Sequence, residues 1–292
     1  VIGWGSFVNP GKKFLPNSGV AGTAIAMILG ALVMIIIAFS YAYMVPKYPK
    51  AGGEFTFTKM CFGKNAAFLC GWFLVAAYLT NVPMNSTAIG LIVDGIDGSA
   101  DILKFGFHYT IAGFDVWMGE MILAMGILIL FGWLNIIGVQ KAAIVQTILS
   151  SLLVICAATL CITGIVSAKA TGINMQPIWG FDKSAAMAAG ATTAEIGKYA
   201  HTGTAGIMSA ILATFAIAPW AYVGFDAIPQ AAEEFNFSFK KVSFIMMVAI
   251  VFGCFVYTSN NTVAAAALAN WPDRVMAGEW VVLVAAEELL GG

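Results

Sequence analysis

The sequence predicts an all-α polytopic membrane protein, and three observations carry that prediction. Only 10% of the 292 residues are charged, against about 25% in a soluble domain, while 60% are apolar. The apolar residues fall in uncharged runs of about 20 or more, the length at which a helix crosses a bilayer core. Two of the membrane segments are interrupted by glycine and proline at matching positions. A net charge of -1 with this apolar content excludes a disordered chain and a nucleic-acid binder working through a basic surface. The lipid bilayer is therefore the expected solvent.

Taken in order, residues 1–10 are apolar but too short to span, and are expected to be the tail of a helix that begins before Val1. Residues 20–45, 66–93, 121–140, 142–168 and 242–270 contain no Asp, Glu, Lys or Arg, and each is predicted to span. Residues 206–232 make a further span with one acid, Asp226. Four cysteines, Cys70, Cys156, Cys161 and Cys254, lie inside these runs with no C-x-x-C pair, and read as small core residues.

The loops alternate between two sides. Lys47, Lys50, Lys59, Lys64, Lys141, Lys240 and Lys241 crowd short loops on one side, whereas Lys12, Lys13, Lys104, Lys169, Lys183, Lys198 and Arg274 are spread over long segments on the other. Short loops dominate the positive-inside rule, so the first side is expected to be cytoplasmic. The segments 94–119 and 169–205, with His108 and His201, are then external.

The first interrupted segment reads Ile2-Gly3-Trp4-Gly5-Ser6-Phe7-Val8-Asn9-Pro10-Gly11, and the second runs from Ala218-Pro219-Trp220 through Gly224-Phe225-Asp226 to Pro229. Gly disfavours a helix by about 1 kcal/mol relative to Ala and Pro by about 3, so such stretches persist in lipid only where they line a cavity or face protein. Gly5 precedes Pro10 by five residues, as Gly224 precedes Pro229. Paired interruptions in two halves are the mark of a secondary transporter built from inverted repeats. Here they imply five spans per repeat, with a first repeat over 1–168, an external loop over 169–205 and the start of a second repeat over 206–292. A broken helix offers N–H groups at its positive dipole end and carbonyls at its negative end, which suit a carboxylate and an ammonium.

These residues resemble the amino acid/polyamine/organocation superfamily of permeases. The opening segment resembles the first-helix pattern I-G-x-G-x-F-x-x-P-G. Pro49-Lys50-Ala51-Gly52-Gly53-Glu54-Phe55-Thr56-Phe57, followed by Phe62-Gly63 and Gly71-Trp72, resembles the block between the second and third helices. Residues 135–146, reading N-I-I-G-V-Q-K-A-A-I-V-Q, resemble the start of the fifth helix, and Gly224-Phe225-Asp226 to Ala231-Ala232-Glu233-Glu234 resembles the sixth. The match covers helices one to seven of a family that usually has about twelve.

The resemblance implies the five-plus-five inverted-repeat fold of the leucine-transporter type, here incomplete, with alternating access and an amino acid or related amine as substrate. It implies that the substrate carboxylate meets the backbone around Gly3, Trp4, Gly5 and Ser6, and that carbonyls near Val1, Ile2, Trp220 and Val223 take the ammonium. Trp220 matches an aromatic position that closes over substrate in some relatives, and Gly224 marks the sixth-helix break. Two positions depart from the pattern. Trp4 stands where most relatives have a small residue, so either its indole points away or the pocket is small. Leu153 stands where many proton-coupled relatives carry a lysine, so coupling through that lysine is not expected; a proton by another route, or sodium, stays open as the coupling ion.

Asp226 is the one acid deep within a span, and is read either as a gating or proton-sensing carboxylate or as a cap on N–H groups freed by the break. Tyr78, Asn81 and Asn85 share a face of the third span beside Pro83, where Tyr78 is a candidate substrate contact. Glu54 is expected to shape its loop. No H-E-x-x-H, G-x-S-x-G or Walker loop occurs, so no enzyme, metal or cofactor is expected. The resulting expectation is a multi-pass amino acid transporter of the cell membrane, plasma or inner. A non-transporting amino acid sensor or assembly partner is the alternative, and a channel is disfavoured for want of a charge ring or filter-like repeat.

Overall fold

The computed structural model describes residues 3–94, 102–111, 114–167, 172–230 and 239–291. Among the described residues six helices are long and apolar enough to cross a membrane and the strands form a single small hairpin, and the chain is an all-α polytopic membrane protein. Two compact units carry it, one of residues Val1–Cys61 with Cys156–Gly292, the other of residues Phe62–Ile155.

The first unit opens with α1 (Gly5–Asn9), a π-helical turn over Pro10–Phe14 and α2 (Leu15–Lys47). The sequence places Lys12 and Lys13 in a loop; instead the helix runs through them, with both side chains exposed. The true corner is Gly19 (φ 61°), which separates the first-helix remnant from the second span. A Cβ there would lie 2.4 Å from the Ile178 carbonyl oxygen and the Gly180 nitrogen, so only glycine fits both the backbone and the contact. Ser18, beside the corner, shares buried hydrogen bonds with Thr23 (3.0 Å) and Thr214 (2.8 Å). Next comes α3 (Gly53–Phe62), the last helix before the second unit.

The second unit holds α4 (Lys64–Asp94), the hairpin β1 (His108–Ile111) and β2 (Phe114–Trp117), α5 (Met118–Ile137) and the first part of α6 (Val139–Val166). The strands pair antiparallel with His108 opposite Trp117, whose rings stack at 4.4 Å. The Glu120 carboxylate accepts the Trp117 N–H at 3.0 Å, capping the start of α5.

The remainder of the first unit contains α7 (Lys183–Ala188), α8 (Thr193–Ile196), α9 (Gly203–Ala221), α10 (Ala227–Gln230), α11 (Phe239–Ala267), α12 (Trp271–Met276) and α13 (Val281–Leu290). One core forms where α2, α9 and α11 pack around Met27, Met34, Tyr222, Met246 and Ile250. Lipid removes the usual hydrophobic drive between helices, so close approach over small residues must supply the packing. Gly30 provides it, since a Cβ there would stand 2.8 Å from that of Ala218. Gly164 on α6 does the same against Val263 on α11. A second core gathers Phe181, Leu268, Trp271 and Val281 beneath α12 and α13.

Candidate substrate site at two broken helices

The sixth span breaks where its glycine and prolines predict. Helix α9 ends at Ala221, residues 222–226 form turns, and α10 begins at Ala227. Gly224 sits at φ 113°, a backbone state that side-chain-bearing residues rarely adopt. Its N–H donates to the Asp226 carboxylate at 2.8 Å, so Asp226 caps the break from within it. Of the two readings of Asp226, this contact supplies the capping one and leaves gating to experiment.

Gly3 and Trp4 lie outside the helix, which starts at Gly5. The Ser6 N–H (3.0 Å) and hydroxyl (2.8 Å) both donate to the Gly3 carbonyl, closing the turn. The first N–H groups of a helix have no intrahelical acceptor, so the turn at Trp4 and Gly5 presents the positive end that suits a carboxylate. Phe7 and Val8 N–H groups turn back to the Trp4 carbonyl.

The two breaks meet. The Trp220 indole stands edge-on to Trp4 with centroids 6.4 Å apart and an interplanar angle of 74°. A Cβ on Gly5 would come within 3.4 Å of the Trp220 ring, so the glycine lets the indole close onto the helix start. Trp220 remains 43% exposed and Val223 42%, leaving both open to a ligand. Trp4 therefore packs against its aromatic neighbour across the break, which limits the space at the helix start. Ile2 and Val1, and the acids Glu233 and Glu234, lie outside the described residues. Tyr78 belongs to the second unit, on the exposed face of α4, where Asn85 donates to the Asn81 backbone carbonyl at 2.8 Å. Leu153 lies on α6, as the fifth-helix resemblance requires.

Sequence reasoning missed the groups that steady the first break. Pro10 has no N–H to give the Ser6 carbonyl four residues before it. The fully buried Asn260 on α11 donates its side-chain Nδ2 there at 3.1 Å. Its neighbour Asn261 donates to the Gly19 carbonyl at 3.3 Å, so one helix grips the first-helix remnant near both ends. Trp280 adds an indole N–H to the Phe7 carbonyl at 2.6 Å. The polar run Thr258-Ser259-Asn260-Asn261-Thr262 inside an otherwise apolar span was the available signal, because amides in lipid need partners. Above the π turn, Lys183 donates to the Val275 carbonyl at 2.8 Å. Burial, then the charges of Lys12 and Lys13, hold its ammonium below the usual lysine range.

A family model described as amino acid permease matches residues 1–291. The chain belongs to that family. It is 27% identical over 293 residues to the large neutral amino acids transporter small subunit 2 of Homo sapiens, covering all of this chain and 49% of the relative. It is 24% identical over 262 residues to cationic amino acid transporter 4, vacuolar, of Arabidopsis thaliana, covering 88% of this chain and 39% of the relative. The branched-chain amino acid permease BcaP of Bacillus subtilis is 24% identical over 247 residues, with 80% and 46% covered. This permease chain thus spans about half the length, or less, of the curated relatives it matches. No solved structure matches it significantly.

Proposed function

We propose that the protein carrying this chain is a secondary-active transporter of amino acids or related amines, working by alternating access. The observation that carries the reading is the apposition of the two breaks, Trp4 and Gly5 against Trp220. A zwitterion needs donors for its carboxylate and acceptors for its ammonium, and two helix ends of opposite dipole supply both without a charged side chain. On this reading the backbone at Gly3, Trp4, Gly5 and Ser6 takes the carboxylate. Carbonyls at Trp220 and Val223, with those of Val1 and Ile2, take the ammonium.

Trp220 closes over the substrate, Gly224 is the hinge, Asp226 senses protons or gates, and Tyr78 contributes from the third span. The architecture is the five-plus-five inverted repeat, with 1–168 as one repeat and 206–292 opening the other. The cell membrane, plasma or inner, is the proposed location, and a proton or sodium the coupling ion. The three relatives, two amino acid transporters and an amino acid permease by name, support amino acids as the substrate class.

Uptake of a labelled amino acid mixture by proteoliposomes holding the full-length protein tests this, with sodium and pH gradients imposed separately and Gly224→Leu as control. Gradient-driven uptake that the variant loses is the expected result. No uptake under either gradient, from protein shown to be folded, moves the reading to a non-transporting sensor or assembly partner.

A further inference from the structure

The Gly52-Gly53-Glu54 turn fastens the inner half of the broken sixth span by contacts that the substrate site does not explain. One Glu54 carboxylate oxygen accepts from the Tyr41 hydroxyl of α2, and the other accepts from the Gln230 side-chain amide of α10. The Gly52 N–H donates to the Gln230 carbonyl at 3.3 Å. A Cβ on Gly53 (φ 42°) would stand 3.0 Å from the Gln230 side chain, so glycine is required for the turn to sit this close. The Tyr41 ring also meets Phe225 edge-on, with centroids 5.8 Å apart at 87°. Residues 225–230, beyond Gly224, are thus tied to α2 and the turn at residues 52–54 through one half-buried carboxylate.

The outer half is held differently. Helix α9 packs on α2 through Gly30 against Ala218, and the Tyr222 hydroxyl donates to the Met27 carbonyl at 2.8 Å in a buried setting. Apolar packing of this kind does not come apart in small steps, whereas hydrogen bonds at a half-wet surface exchange readily with water. Beyond Gly224 the apolar anchorage is confined to Phe225, buried in the core around Tyr222, with Ile228 packed against it and Pro229 buried, while the polar ties of this short stretch run to the turn at residues 52–54.

We propose that Glu54 is a positioning residue that holds the inner half of the sixth span closed, and that releasing its two hydrogen bonds frees residues 225–230 to swing about Gly224. Its part in a transport cycle rests on the transport reading above; the catch itself does not. Amide hydrogen exchange of the full-length protein in nanodiscs tests the catch without any transport. Glu54→Gln, which removes the charge and leaves one acceptor oxygen for two donors, and Tyr41→Phe, which removes only the hydroxyl donor, should each speed exchange over residues 224–230. The expected rise is about ten- to a hundredfold, as for a lost charge-assisted hydrogen bond, with residues 203–221 unchanged.

Unchanged exchange over residues 224–230, or an equal rise over 203–221, overturns the proposal. Should Glu54→Gln not fold, the exchange of Tyr41→Phe decides between the same two outcomes. In the uptake arm, Glu54→Gln should change the maximal rate and leave KM in place, and a change in KM alone contradicts the proposal. If the wild-type protein shows no uptake, the transport reading fails and the exchange result still decides the catch.

Discussion

The two broken helices answer the same problem in opposite ways. In the sixth span the repair is internal: Asp226, two residues beyond Gly224, caps the Gly224 N–H in an exposed turn. At the first break it comes from far along the chain, with Asn260 reaching the Ser6 carbonyl that Pro10 leaves without its helical donor, and Trp280 reaching that of Phe7. A break capped by its own side chain carries its hydrogen bonds along when it moves. One held by a buried amide on another helix must stay where that helix is. On the proposed transport reading, the first helix start is the fixed wall of the site and the segment beyond Gly224 its movable one.

Breaking the fixed wall should have the largest effect. Asn260→Asp sets a carboxylate oxygen against the Ser6 carbonyl in a fully buried place, and should destabilise the full-length protein by about 3 kcal/mol or more. The thermal midpoint in detergent measures this, and a loss no greater than that of Asp226→Ala would remove the asymmetry. Gly224→Ala comes next, at about 1–3 kcal/mol, because φ 113° strains any residue with a Cβ.

Asp226→Ala should lose only a cap in an exposed turn, about 0.5–1 kcal/mol, read in the same thermal scan. Asp226→Asn keeps an oxygen to accept the Gly224 N–H and should leave stability nearly unchanged. The pH profile of uptake then isolates the proton-sensing role: a shifted profile supports it, and an unaltered one leaves Asp226 as a cap alone. Gly5→Ala should be smallest in stability, since its Cβ meets the ends of Asn9 (3.1 Å) and Trp220 (3.4 Å) side chains, which can give way. Its effect should instead fall on substrate affinity, a few-fold weakening in equilibrium binding.

The break in the sixth span was readable in the sequence because glycine acts on its own backbone, and the helix start at Gly5 agrees with the glycines of the first segment. The spans were readable for a similar reason, since charge-free runs such as 66–93 and 242–270 became helices Lys64–Asp94 and Phe239–Ala267. What supports the breaks was not readable, because those contacts join residues 254 and 273 positions apart. Glu54 is the same case, joined to Gln230 over 176 positions, and its loop signature gave the turn without the partner. Lys12 and Lys13 misled for a physical reason of their own: long cationic side chains reach water from a helix as well as from a loop. The corner that was missed is Gly19, whose neighbours Ile178 and Gly180 come from a segment about 160 positions away in sequence.

A double-mutant cycle on equilibrium binding of labelled amino acid to the full-length protein tests most directly whether the two breaks form one site. Trp4→Ala and Trp220→Ala should each weaken binding, and the double variant should lose less than the sum by about 0.5–1.5 kcal/mol, the worth of an edge-on aromatic pair. Strictly additive losses, or binding untouched by either change, would contradict the account.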